Sequence, residues 1–251
     1  MYTKQMVILA KSYKQGGWCI AGRQVTLNRE RTEYTHTSHW IRPESKNAQT
    51  HGALTDADCE YEDGSAPKVY DLVELDFVER RAAPGQPENE LIANTPWRKL
   101  GEIQKQDVSL FLNEPEHIWN EQVGLDYVTA QYVANRSVKN SLSLIRPQNF
   151  LLQLSNYYNE FESRFKRELR ASFDYKGVLY NHISVTDPAV RYMLKNQFPA
   201  EGQETIEMPL LAGDNCYLCM SLGPAFTVQQ KHFKLVATIF DFDGYIQRTF
   251  G

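Results

Sequence analysis

Trp40-Ile41-Arg42-Pro43 and Leu144-Ile145-Arg146-Pro147 place the same Ile-Arg-Pro tripeptide in each half of the chain. Each copy ends a short run of β-branched, aromatic or alternating residues. The proline that follows lacks a backbone N–H and marks a strand end or sheet edge. Glycine-punctuated runs of the same kind surround both copies. The duplication predicts two small β-barrels in one polypeptide, and a binding module rather than a deep-pocket enzyme.

Working outward from the first copy, Met6–Ala10 reads as a buried strand, Gly16-Gly17 as a turn, Trp18–Ala21 as a second strand and His39–Arg42 as a third. Val69–Val78 alternates in the manner of a half-buried strand. Residues 44–68 read as loop, residues 80–96, with Pro84, Gly85, Pro87 and Pro96, as a long connection, and Gly101–Leu112 has helical spacing. Around the second copy, strands are expected at Ser141–Arg146 and Phe150–Leu154, then a hairpin turning at Tyr175-Lys176-Gly177. Asp187-Pro188 is a helix start, with Asp187 as cap and Pro188 at the first helical position. Cys216–Leu222 and Phe233–Phe240 are the last strands, and Asp241 to Gly244 is a turn.

The expected fold is mainly β with short helices: two tandem five-stranded barrels. The first occupies residues 1–135, with long loops and a helical insert, and the second residues 136–251. A single sandwich with helical inserts is the alternative.

Hydrophobic residues make up 42% of the 251 residues, enough for packed cores and too many for a disordered chain. The net charge of −4 argues against indiscriminate nucleic-acid binding, which needs a positive field. Charge is unevenly spread, however. Residues 1–31 hold six bases and only Glu30, residues 44–90 hold twelve acids against four bases, and residues 164–176 are basic again. A basic face is therefore compatible with the negative total. No stretch approaches the roughly 20 apolar residues of a membrane span. The opening run is interrupted by Lys11 too soon for a signal peptide. Cys19, Cys59, Cys216 and Cys219 form no dense secreted-type framework, so the cytoplasm is the expected compartment.

The chain resembles a family in the order of its motifs. They are Gly-Gly-Trp-Cys-Ile-Ala-Gly at 16–22, Trp-Ile-Arg-Pro at 40–43, Gln-Pro-Glu-Asn at 86–89 and Ser-Leu-Ser-Leu-Ile at 141–145. Arg-Ala-Ser-Phe-Asp-Tyr-Lys-Gly at 170–177, Val-Thr-Asp-Pro at 185–188, Ser-Leu-Gly-Pro at 221–224 and Lys-Leu-Val-Ala-Thr-Ile-Phe at 234–240 complete the set. In these it is similar to the bacterial dual OB-containing domain family. The resemblance implies two oligonucleotide/oligosaccharide-binding barrels and, by fold analogy, a nucleic-acid-related role. It transfers no catalytic residues. Such barrels also bind sugars, nucleotides and proteins.

Single-strand recognition by such barrels needs aromatic faces for bases and cations along the phosphate path. Trp18, Trp40, Trp97, Tyr175 and Tyr180 supply the first; Lys11, Lys14, Arg23, Arg42, Arg146 and Arg170 supply the second. Against this, tryptophan is buried on average, and Trp40 beside Ile41 is also what a core residue looks like. Arg42 and Arg146, each at a strand end, suit bidentate contact with phosphate, or equally a rim salt bridge to the acids of residues 44–90. Gln86 and Asn89 can read base edges or staple their own loop. The expected binding set is Lys11, Arg23, Trp40, Arg42, Gln86, Asn89, Arg146, Arg170 and Tyr175, with no catalytic residue, metal or cofactor.

Cys216-x-x-Cys219 is half a zinc site at most, and on a strand its two thiols point to opposite faces. His36 and His39 share that defect. The function read from the sequence is non-catalytic binding of nucleic acid, single-stranded, or of a nucleotide-derived ligand. One alternative is a magnesium-dependent nuclease or nucleotide hydrolase using Asp241 and Asp243, although Asp-x-Asp-Gly is also an ordinary turn. Another is a protein-interaction subunit of a larger bacterial antiviral system.

Overall fold

A computed structural model describes every residue except 15, 29, 31, 32, 123, 137, 211–214 and 227, and every other side chain except those of Lys14 and Ala48. Its first sheet runs β1 (Tyr2–Lys14), β2 (Gly17–Leu27), β3 (Tyr34–Glu44), β4 (Asp71–Arg80), β5 (Asn89–Ile92) and β6 (Arg98–Glu102). The strand order β1-β2-β3-β5-β4 returns to β1, and β3 with β5 is the parallel pair. β1 uses both of its edges: Val7 lies opposite Arg23 on β2 and Leu72 on β4. That double pairing closes a five-stranded barrel and removes the exposed edges. The approach is close at Gly22, where a Cβ would sit 2.1 Å from the Val7 carbonyl oxygen, so only glycine fits.

The second sheet contains β7 (Tyr127–Thr129), then, after helix α1 (Ala130–Asn135), β8 (Leu142–Ile145), β9 (Gln148–Asn159), β10 (Arg164–Tyr175) and β11 (Val178–Val185). Helix α2 (Pro188–Met193) precedes β12 (Ile206–Pro209), β13 (Cys216–Phe226), β14 (Lys231–Asp241) and helix α3 (Tyr245–Phe250). β9, β10, β11, β14, β13 and β8 follow in order, again with one parallel pair, β11 with β14. β8 and β9 are one strand bent at Arg146-Pro147. The first half pairs with β13 and the second with β10, which brings the ends of the sheet together. Proline without an N–H suits that break in the ladder. β7 pairs with β14, and Val128 and Val133 lie in the second core, so residues 127–135 pack against this barrel.

The two Ile-Arg-Pro copies are thus not equivalent. The first lies inside β3, the third strand of its barrel; the second is the bend in the first strand of the other.

Asn89–Ile92, read from sequence as connection, is a fully buried strand between two partners. Its polar first half has no alternation to betray it. Gly101–Leu112 splits into the end of β6 and a 3₁₀ turn over Lys105–Phe111 that buries Val108 and Phe111. The hairpin at 175–177 forms as expected: Lys176 (φ 48°) and Gly177 (φ 75°) both take positive φ, as a two-residue primed turn requires.

The barrels are joined by a common apolar seam. Leu142, Leu144, Cys219, Ala237 and Phe240 of the second pack into the same cluster as Met6, Ile8, Trp40 and Tyr70 of the first. A buried polar network crosses the seam. Arg42 Nη2 donates to Ser141 Oγ (2.7 Å) and Ser221 Oγ (3.3 Å), and its Nε lies 3.5 Å from Glu88 Oε1. The Ser141 hydroxyl donates to Glu88, and Gln86 Nε2 donates to the Leu222 carbonyl (3.1 Å).

Candidate anion-binding cleft between the barrels

Residues 113–120 are strapped onto the second barrel. Asn113 Oδ1 accepts from Leu144 N (2.6 Å), Trp119 Nε1 donates to the Asn140 carbonyl (3.0 Å), and Ile118 N donates to the Tyr180 hydroxyl (3.2 Å). Those bonds fix one wall of a cleft of about 520 Å³. Arg23 and Ser38 of the first barrel form the facing wall, with Ser143 of β8 between. Helix α1, capped by the Thr129 hydroxyl on Tyr132 N, and the segment after it supply Tyr132, Arg136, Lys139 and Asn140. His117 and the amides of Asn113 and Asn120 complete the polar lining.

Among the described lining residues there are three permanent cations, one histidine and no carboxylate. The described lining carries net positive charge although the chain is negative. Half-buried Tyr132 and the edge of Trp119, a core residue 9% exposed, line it, and the guanidinium of Arg136 lies 5.0 Å from the Tyr132 ring centroid. Cations, amides with both donor and acceptor atoms, and aromatic faces are the three components of nucleotide recognition. The other sizeable hollows are differently lined. One of about 440 Å³ on the first barrel carries Asp58, Glu60 and Glu62, which repel anions.

Arg23 is the unusual member. It is only 5% exposed, and its guanidinium stacks on Trp40 (5.3 Å to the ring centroid). It makes no hydrogen bond or ion pair to any described residue, and its Nε, like Trp40 Nε1, is buried without a partner. Burial pulls its pKa below the ordinary arginine value, partly offset by Cys219 nearby. Buried charges are as a rule paired, and among the described residues this cation has no anion.

The remaining expected site residues are dispersed. Arg42, Gln86 and Asn89 belong to the inter-barrel network. Arg42 is held against Glu88, while Asn89 donates to Glu44 (2.5 Å) and Gln86 (3.2 Å). Gln86 and Asn89 are 6% and 1% exposed, while Arg42 and Gln86 border a small hollow of about 50 Å³. Trp40, Trp97, Tyr175 and Tyr180 are likewise core residues, so none offers a free stacking face. Arg170 is committed to Glu168 (2.8 Å) and the His182 carbonyl (2.6 Å). Lys11 sits half-buried over the Trp18 ring (4.7 Å), and burial lowers its pKa. Lys14's side chain lies outside the described residues. Arg146 is exposed, 5.2 Å from the Phe242 ring, beside Lys176 in a hollow separate from the cleft. Arg42 and Arg146 therefore line separate hollows.

Of the expected set, only Arg23 lines the cleft. Sequence reading missed His117, Trp119, Tyr132, Arg136 and Lys139. Their one signal was aromatic and basic residues clustering in a stretch with no clear strand period. Asp241, named in the nuclease alternative, accepts from Tyr245 N and Ile246 N (2.8 Å each) at the start of α3.

The closed strand order, the parallel third-and-fifth pairing in the first barrel and its counterpart in the second define a two-barrel OB protein with its clearest polar cleft between the barrels. The family model for the dual OB-containing domain matches residues 4–239, and the chain belongs to that family. No curated protein and no solved structure matches it. Among the described residues no helix is long and apolar enough to cross a membrane.

Proposed function

We propose that this OB-fold module binds single-stranded nucleic acid or a nucleotide-derived ligand in the inter-barrel cleft. The carrying observation is the lining: Arg23, Arg136, Lys139 and His117 with Trp119 and Tyr132, and no described carboxylate. Phosphate would meet the cations and a base would stack on a ring, at roughly 1–3 kcal/mol per stacked base.

Fluorescence anisotropy with short single-stranded DNA and RNA tests this. Three phosphate contacts predict a log–log salt slope of about −2, or an affinity loss of about twentyfold between 50 and 200 mM salt. Arg136→Ala with Lys139→Ala, both exposed positions, reduces the slope and leaves the melting temperature unchanged. Absence of binding at low salt, or binding without a slope, defeats the proposal.

A protein-docking role draws on one further observation. The β9–β10 hairpin tip exposes Tyr158, Phe161 and Phe165, with Phe161 99% exposed. Tyr158 and Phe165 meet edge to face at 5.3 Å. Such a tip suits an apolar partner surface. Phe161→Ser with Phe165→Ser would abolish any self-association seen by sedimentation without altering cleft binding; unchanged sedimentation leaves the tip without that role.

A further inference from the structure

Arg23 narrows the ligand class, on the footing that the cleft is the binding site. We propose that the cleft takes a terminal phosphate monoester, carried by a single nucleotide or by the end of a strand, with Arg23 as its anchor.

Three features support this. Arg23 has almost no open surface and its guanidinium has no described anionic or hydrogen-bonding partner. One of its faces is covered by Trp40, so an anion must approach from the cleft. A phosphodiester within a strand is flanked on both sides by sugars and cannot be pushed into such a recess; a terminal phosphate projects and can. The rim cations Arg136 and Lys139 supply the further charge that a monoester dianion calls for, and the His117 ring lines the same rim. Size agrees as well: about 520 Å³ holds a group of nucleotide dimensions, within the usual range for small-molecule sites.

The anchor has a stability signature. A buried cation without a partner costs the unliganded protein free energy, so removing it should stabilise. A purely structural arginine would do the opposite.

The experiment compares hexathymidylates bearing a 5′-phosphate, a 3′-phosphate or hydroxyls at both ends, together with adenosine 5′-monophosphate and adenosine, by calorimetry. Wild-type protein and the Arg23→Met and Arg23→Lys variants are used. Expected is at least tenfold tighter binding of a phosphorylated ligand over its hydroxyl counterpart. That ratio falls to near one in Arg23→Met and is partly restored in Arg23→Lys, and unliganded Arg23→Met melts no lower than wild type. Preference for the monophosphate identifies a free nucleotide, and preference for one phosphorylated hexamer a strand end. Equal binding of phosphorylated and hydroxyl ligands by wild type overturns the monoester proposal and leaves the cleft reading standing. No binding of any probe overturns both. A phosphate preference that persists in Arg23→Met, or a destabilised Arg23→Met whose lost preference Arg23→Lys does not restore, assigns Arg23 to packing and overturns the anchor.

Discussion

Replacing Arg42 with methionine should loosen the two barrels from one another. The guanidinium Nε lies 3.5 Å from Glu88 Oε1, and Glu88 is almost completely buried. At an effective dielectric of about 20, opposite charges at that separation attract by about 5 kcal/mol. Two hydrogen bonds, to Ser141 and Ser221, add about 1 kcal/mol each. Relief of the arginine's own desolvation offsets part of that sum. Glu88 would remain buried beside Ser141 with its cation gone, which places the net loss at about 3–5 kcal/mol. Methionine fills the volume, so little of the loss comes from a cavity. Urea unfolding of Arg42→Met, Glu88→Gln and the double variant measures it. The double variant should recover to within about 1 kcal/mol of wild type, since neither charge is then stranded. Arg42 does not line the cleft, so the salt slope of ligand binding should be unchanged. A loss below about 1 kcal/mol in the single variant, or a flattened salt slope, would refute this account.

Asp187 accepts four hydrogen bonds, from Ala189 N, Val190 N, Ile239 N and Gln247 Nε2, while only 1% exposed. Asp187→Asn turns an amide donor toward donors and should cost about 2–4 kcal/mol in the same urea assay; a cost under 1 kcal/mol would count against it. Lys234 is buried with its Nζ on the Leu125 carbonyl (2.8 Å), and burial lowers its pKa to about 8. The unfolded chain keeps the ordinary value near 10.5, so between pH 8 and 10.5 it holds more protons than the folded one, and stability rises with pH by about 3 kcal/mol from this group. Subtracting the profile of Lys234→Met from that of wild type should isolate the rise, and a flat difference would exclude it. Burial raises the Cys59 and Cys219 thiols to about 12, so both should resist a disulfide reagent at pH 8 until denaturant is added; rapid native labelling of either would contradict their burial.

Much of the scaffold was legible because its signals are local. Two positive φ values at Lys176-Gly177 and the cap at Asp187-Pro188 follow from the residues standing there. Alternation revealed β4, and a continuous apolar run revealed the middle of β1. β5 escaped because Asn89 and Glu90 are polar in composition and buried only through partners far away in the chain, Glu44 for Asn89 and Lys4 and Tyr2 for Glu90. The site escaped for a similar reason. Arg42 and Arg23 look alike in sequence, each a cation on a strand of the first barrel. One meets Glu88, 46 positions on, and is neutralised. The other lines a hollow with Asn113, Tyr132, Arg136 and Ser143 and has no partner among the described residues.

Residue order alone set most of the strands and turns, because backbone conformation depends on neighbours within a few positions; β5 and the closure of β1 onto β4 needed partners far away in the chain. Which charges are spent and which remain for a ligand was decided only when the barrels packed together. Coulomb interactions act through space, and the carboxylates that meet Lys4 and Arg42 lie 86 and 46 positions away along the chain.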